Sequence, residues 1–161
     1  MAEAGETPSF RFLFREDQGV VTRAQWLRGL TALVIPLVLL GVGWRIVSPW
    51  ANRGLDERKL IDVMALVTYV YLIAMAFALI LIAVSFYNLS AKRLRARGLP
   101  TGLAGLAPFT AFIAGAAHWL QPRVADVFPF AIVVICDVAV IGVALWCLYE
   151  LGVRSGDGSA S

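Results

Sequence analysis

The sequence predicts an all-α integral membrane protein, a four-helix bundle with both termini in the cytoplasm. Hydrophobic residues make up 60% of the chain and charged residues only 16%, whereas charged residues average about 25% in soluble domains. The charges also cluster between long apolar runs. A soluble chain of 161 residues leaves much of its surface in water and could not bury so much apolar area. We therefore predict a single membrane domain.

The apolar runs divide the chain into three parts. Residues 1–21 are predicted to form a cytoplasmic N-terminal segment, residues 22–151 the transmembrane domain, and residues 152–161 a disordered cytoplasmic tail. A bilayer requires about 20 apolar residues for each helix. The four spans are predicted at about residues 29–47, 64–87, 103–120 and 127–149, with a polar connection at residues 48–62.

The residues before the first span carry two local signals. Phe10 to Arg15 alternates aromatic residues with arginines, which is typical of a segment on the membrane surface and also of a strand or loop tucked against the helix ends. Thr22 and Gln25 fit a capping box, so a helix should start near Arg23. Trp26 would then lie at the membrane interface. Pro36 predicts a kink in this helix.

The stretch from Ser85 to Pro100 ends the second apolar run with a dense group of cations. Gly98 is suited to a left-handed position after a helix end, and Pro100 prevents continuation of the helix. We expect this end to contact anionic lipid head groups or a membrane partner, although it could serve only to set topology. The predicted contact residues are Arg23, Trp26, Lys92, Arg93, Arg95 and Arg97.

The distribution of Lys and Arg predicts the orientation. With four spans and the N-terminus inside, nine of these residues lie in cytoplasmic segments and five in outer segments. Cytoplasmic loops carry an excess of Lys and Arg. Both termini are therefore predicted to be cytoplasmic.

The third span is rich in small residues, with Ala107, Ala111 and Gly115 at intervals of four. Small residues at this spacing allow helix backbones to approach closely in lipid. We therefore expect this helix to be the most enclosed of the four, packed through these residues against its neighbours.

Asp137 is the main candidate for chemistry, because a carboxylate near the middle of a span costs about 2.5–3.5 kcal/mol and normally has a partner. Arg45 is one candidate partner, and Tyr69, Tyr71 and Thr110 are others. Asp137 could hold helices together or form part of a proton or ion pathway. His118, the only histidine, is interpreted as a surface or packing residue.

The sequence contains no phosphate-binding glycine loop, nucleophile elbow or zinc motif. We therefore expect no enzymatic activity, cofactor or bound metal. Cys136 and Cys147 are interpreted as packing residues. The basic residues lie at the ends of apolar runs and not across a folded face, so we also expect no nucleic-acid partner.

Two segments resemble a family of small bacterial inner-membrane proteins known as domain of unknown function 805. Thr22, Arg23 and Trp26 match its motif before the first span, within a shortened version that starts at Gly19. Lys92-Arg93-Leu94 and Gly98 match its motif at the end of the second span. Arg95-Ala96 replace the family's His-Asp, and Leu99 to Gly102 replace most of its Ser-Gly-Trp. The resemblance implies a four-helix inner-membrane protein with cytoplasmic termini, and no known activity.

Two functional hypotheses follow. The first is a non-enzymatic accessory or scaffold protein of the bacterial inner membrane, in contact with anionic lipid, a membrane protein or a second copy of itself. The alternative is a small transporter or a proton- or ion-coupled channel that uses Asp137.

Overall fold

The computed structural model describes residues 9–51 and 62–154, and these residues form helices and turns with no strand. Four helical segments are long and apolar enough to cross a membrane, which confirms the predicted fold class at that level. The helices are α1 (Phe10–Phe14), α2 (Arg23–Ala51), α3 (Val63–Ala96), α4 (Leu106–Leu120) and α5 (Phe130–Cys147). A 3-10 helix (Thr101–Gly105) precedes α4, and a π-helix (Leu148–Val153) continues α5.

The helix ends follow local chemistry. The predicted capping box is confirmed, since Thr22 N–H donates to Gln25 Oε1 at 2.9 Å and Gln25 N–H donates to Thr22 Oγ1 at 3.3 Å. Asp62 caps α3 by accepting from the backbone N–H groups of Met64 and Ala65. Gly98 has a φ of 67°, the left-handed conformation predicted for it.

The helix of the fourth span, predicted from about residue 127, starts at Phe130. The N–H groups of Val127 and Phe128 both donate to Val124 O, within turns, and α5 starts at Phe130 after Pro129. A proline disfavours helical backbone in the residue that precedes it. Pro129 therefore sets the start of α5.

Helices α2 and α3 form a tight hairpin because glycines remove side-chain bulk from their interface. A Cβ on Gly29 would lie 2.8 Å from Leu89 Cδ2, and one on Gly43 would lie 2.3 Å from the Tyr71 hydroxyl. Tyr71 uses this space to donate to Leu40 O on α2 at 2.6 Å. Thr68 Oγ1 also donates across the hairpin, to Val47 O at 3.3 Å.

Helices α4 and α5 form the second hairpin, and the 3-10 helix joins it to the end of α3. The buried core lies at this same end of the bundle, where both ends of the described chain meet α3. Its main members are Phe14, Trp26, Leu89, Leu94 and Leu151. We call this region, residues 9–22, 88–105 and 148–154, the cap.

Several predictions concern residues that the structure does not describe. The predicted disorder at residues 152–161 and the polar connection at 48–62 lie largely outside the described ranges. Where they overlap, α2 extends to Ala51, and residues 152 and 153 belong to the π-helix.

Candidate functional site

The last turns of α3 are enclosed by the other segments of the cap. Every residue from Asn88 to Leu94 is buried, and the side chains of Lys92 and Arg93 have 0% relative exposure. The segment Phe10–Phe14 forms helix α1 against this part of α3. Of the two interpretations of that segment, the structure favours one tucked against the helix ends, in helical form.

The buried polar side chains of α3 donate to backbone carbonyls of both terminal segments. Asn88 Nδ2 donates to Phe14 O at 2.9 Å, and Arg93 Nε donates to Leu151 O at 3.3 Å. Lys92 Nζ donates to Phe12 O and lies 4.3 Å from the centroid of the Phe12 ring. Carbonyls at the end of a helix lack partners within that helix. Polar groups on α3 therefore satisfy carbonyls at the ends of α1 and the π-helix.

Arg97, at the end of α3, forms a buried ion pair with Glu150 of the π-helix. Its Nη1 lies 2.8 Å from Glu150 Oε1, and the two side chains are only 8% and 10% exposed. Arg97 also donates to the Glu150 carbonyl. Arg154 lies 3.3 Å from the same carboxylate but is 60% exposed. One carboxylate on the π-helix thus faces two guanidinium groups, one of them buried.

Arg95 lies on the surface of the cap and holds the segment that leads into α2. Its Nη1 donates to Asp17 O at 2.9 Å and to Gly19 O at 2.8 Å. Gly19 has a φ of 94°, which a residue with a side chain rarely adopts. Arg95 therefore fixes the chain at a sharp turn.

Trp26 lies in the buried core of the cap. Its relative exposure is 0%, and its Nε1 donates to Ser90 Oγ at 3.3 Å. A Cβ on Gly152 would lie 3.1 Å from the indole ring. The absence of a side chain at Gly152 lets the π-helix pack onto Trp26.

The six predicted contact residues therefore separate into two groups. Trp26, Lys92 and Arg93 are fully buried and Arg97 nearly so, because they bind other parts of the chain. In this conformation these four side chains contact other parts of the protein. Arg23 and Arg95 are exposed. Further exposed arginines at this end, which the site prediction did not include, are Arg11, Arg15, Arg28 and Arg154, the last of which binds Glu150.

Asp137 pairs with His118 on α4. Nε2 of His118 lies 3.0 Å from Oδ1 and 3.1 Å from Oδ2 of the carboxylate. Three of the four expected partners form no bond with it: Tyr71 donates to Leu40 O, Thr110 donates to Leu106 O, and Arg45 forms no ion pair with it. Asp137 is the eighth residue of α5, roughly 10 Å from its start. The pair therefore lies nearer the end opposite the cap.

The interpretation of His118 as a surface or packing residue missed this pair. His118 and Asp137 lie 19 positions apart, on either side of the connection between α4 and α5. Consecutive antiparallel helices bring such positions to similar heights. The hairpin of α4 and α5 could be inferred from the sequence. Which sides of the two helices face each other could not. Within the described residues, no three His, Cys, Asp or Glu side chains are grouped to hold a metal ion.

An apolar cleft of about 610 Å³ lies between the two hairpins. Leu33, Leu37 and Phe86 contribute to one wall, and Ala111 and Gly115 to the other. The small residues of α4 were expected to bring helices together, and that expectation is wrong for Ala111 and Gly115, which are exposed. The buried small residues of α4 are instead Ala114 and Ala117.

No protein-family model, curated protein or solved structure matches this chain.

Proposed function

We propose that this protein is a non-enzymatic scaffold or accessory protein of the bacterial inner membrane, with four spans and both termini in the cytoplasm. The observation that carries the proposal is the charge asymmetry between the two ends of the bundle. Nine of the 14 Lys and Arg residues belong to the segments at the cap end, and the other five belong to the end of α2 and the two connections at the opposite end. This distribution favours the cap on the cytoplasmic side.

The cations of this end fall into a buried group and an exposed group, and this difference supports a scaffold role. Lys92, Arg93 and Arg97 are used inside the cap, so that both terminal segments are held on α3. The exposed arginines then form a fixed basic surface beside the membrane. Each such charge contributes about 1 kcal/mol of attraction to an anionic leaflet. This basic surface consists of Arg11, Arg15, Arg23, Arg28 and Arg95.

The test compares the protein in nanodiscs of phosphatidylcholine with nanodiscs that also contain phosphatidylglycerol. We expect the anionic lipid to raise the Tm and to be retained in native mass spectra. The variant Arg11→Gln, Arg15→Gln, Arg23→Gln, Arg28→Gln should lose most of both effects. Arg95 is left intact because it also binds the cap.

The matched control is Arg45→Gln, Arg53→Gln, Arg58→Gln, Arg123→Gln, which removes the same number of cations from the opposite end. It should keep the parent's response to phosphatidylglycerol. Equal losses in the two variants would contradict the proposal, because the effect would then depend on total charge and not on the cap surface.

A second candidate function is a small transporter or proton- or ion-coupled channel, and the His118–Asp137 pair favours it. Ionisable residues in membrane helices often mark ion or proton pathways. Vesicles that contain the parent protein should then show a proton or ion flux that Asp137→Asn removes. A parent without flux for protons or common ions would rule out this function.

A further inference from the structure

Helix α1 depends on α3 for its order. It has only five residues, whereas isolated helices shorter than about 12–15 residues are marginal in water. Asn88 and Lys92 of α3 donate hydrogen bonds to its carbonyls. Phe14 is buried in the core of the cap, and Phe12 packs against that core. Without these contacts to α3, α1 would not be a stable helix.

The docked position of α1 keeps a cation in the protein interior. Lys92 has 0% relative exposure, and its ammonium group lies against the carbonyl and the ring of Phe12. Among the described residues, no carboxylate forms an ion pair with Lys92. A buried charge is costly unless it is paired. Release of α1 would return Lys92 to water, so this cost opposes docking.

Docking also gathers like charges at the surface of the cap. Arg11 and Arg15 are exposed and flank the part of α1 that contacts α3, where Lys92 and Arg95 lie. Glu16 lies 3.5 Å from Arg11 Nε, but this pair is exposed, and exposed ion pairs contribute little. Repulsion within a group of like charges destabilises a compact arrangement. The arginines of α1 therefore also oppose its docking.

The chain beyond α1 is attached to α3 by contacts of its own. Arg95 donates to Asp17 O and to Gly19 O, and Val21 is 2% exposed. Only residues 15 and 16 separate α1 from this attached part. We infer that α1 can leave α3 by rotation about these two residues while the attached part stays in place.

We propose that α1 is a strap whose docking is controlled by charge: it opens more often on a neutral bilayer and closes when anionic lipid neutralises the arginines beside it. A ligand shifts such an equilibrium through its difference in affinity for the two states. Only the closed state brings Arg11 and Arg15 together with the other arginines of the basic surface, so anionic head groups bind that state more tightly. The inference rests on the proposed function, because it assigns a movement to the same surface.

The reaction of Lys92 with an amine reagent measures the opening, since Phe12 covers its ammonium group in the closed state. The protein is reductively methylated in nanodiscs of phosphatidylcholine, with and without phosphatidylglycerol, and Lys59, the only other lysine, is the internal reference. Phosphatidylglycerol should slow the reaction of Lys92 about threefold or more. Salt at about 1 M, which shortens the Debye length to roughly 3 Å, should also slow it in phosphatidylcholine. Asn88→Asp, which removes a donor to α1, supplies the reference for an open strap.

The variant Arg11→Gln, Arg15→Gln should close the strap without anionic lipid. In phosphatidylcholine its Lys92 should react about threefold or more slowly than that of the parent, and phosphatidylglycerol should have little further effect. The matched control is Arg45→Gln, Arg123→Gln, which removes two cations from the opposite end and should keep the parent's response. Equal rates in the parent and the variant of α1 would show that repulsion does not oppose docking.

Two results in the parent protein would overturn the inference. One is an equal reaction of Lys92 with and without phosphatidylglycerol. The other is a faster reaction with phosphatidylglycerol, because α1 would then leave α3 to bind the bilayer. If the lipid is retained in native mass spectra and either result is seen, the strap fails and the proposed function stands. If the lipid is not retained, the proposed function fails, and the salt series and the variant of α1 still decide whether repulsion opens the strap.

Discussion

Arg97 Nη1 and Glu150 Oε1 lie 2.8 Å apart in a nearly solvent-free contact, which joins the end of α3 to the π-helix. Arg97 also donates to the carbonyl of Glu150, so one guanidinium group binds both the side chain and the backbone of its partner. The ion pair thus fixes the C-terminal segment on the same helix end that holds α1. The two terminal segments are consequently coupled through α3.

Glu150→Gln should destabilise the protein by about 3 kcal/mol, because removal of one partner leaves the other charge buried and uncompensated. The free energy of unfolding can be measured by titration of detergent-solubilised protein with sodium dodecyl sulfate. Arg154→Gln is the control: Arg154 binds the same carboxylate but is 60% exposed, so its loss should cost less than about 1 kcal/mol. Equal effects of the two variants would show that Arg97–Glu150 is not the dominant contact.

Asn88→Asp should release α1 from the cap. The change keeps the size of the side chain but replaces the N–H donor that binds Phe14 O at 2.9 Å with an acceptor. A buried carbonyl without its donor costs about 1–3 kcal/mol, enough to open the contact locally. Trypsin should then cleave after Arg11 and Arg15 at least several-fold faster than in the parent.

Gln25→Glu is the matched control for this experiment, since it makes the same amide-to-carboxylate change. Gln25 Oε1 accepts from Thr22 N–H, and glutamate retains that acceptor. Cleavage at parent rates is therefore expected. Fast cleavage in both variants would attribute the effect to added negative charge and not to the loss of the Asn88 donor.

Gly43→Ala should loosen the hairpin of α2 and α3. The added Cβ would lie 2.3 Å from the Tyr71 hydroxyl, which would have to leave its hydrogen bond to Leu40 O. We expect a loss of about 1–3 kcal/mol in the free energy of unfolding, the usual cost of overpacking. Gly41→Ala meets no atom within 4 Å and should be neutral or stabilising, because alanine favours helix more than glycine does.

A double variant separates the steric cost from the lost hydrogen bond. Tyr71→Phe removes both the hydroxyl that would clash and the hydrogen bond, so Gly43→Ala should cost less in that background. Such non-additivity is expected for residues in contact. Additive costs would mean that the hydroxyl does not limit the approach of the helices.

Features that depend on neighbouring residues could be predicted from the sequence, whereas contacts between distant segments could not. The capping box at Thr22 and the left-handed Gly98 involve contacts within a few positions, so both could be predicted. Lys92 contacts Phe12, 80 positions away. A cation after an apolar run has the same sequence pattern whether it faces head groups or satisfies a carbonyl of another segment. Only the packing of α1 distinguishes the two.

Of the two residues in the candidate polar site, the sequence analysis identified Asp137 but not its partner His118. Asp137 was identified because a carboxylate inside a long apolar run is costly, a property of one residue and its surroundings in sequence. Its partner depends on which sides of α4 and α5 face each other, and the low density of polar residues in these helices gives little indication of that. The position of α4 relative to α3, which creates the cleft, likewise depends on the packing of the two hairpins.

Gly98→Ala should destabilise the turn between α3 and the 3-10 helix through the backbone alone. Gly98 has a φ of 67°, and residues with a Cβ pay about 1–2 kcal/mol in this region. A Cβ at Gly98 would meet no atom within 4 Å, so steric contact contributes nothing.

Gly102→Ala is the control, since Gly102 also has open space and is not among the glycines with positive φ. Unfolding titrations should place Gly98→Ala about 1 kcal/mol below Gly102→Ala. Gly98→Asn should recover part of the loss, because asparagine tolerates the left-handed conformation better than alanine does. If alanine at 98 and at 102 gave the same stability, the left-handed turn would not be required to end α3.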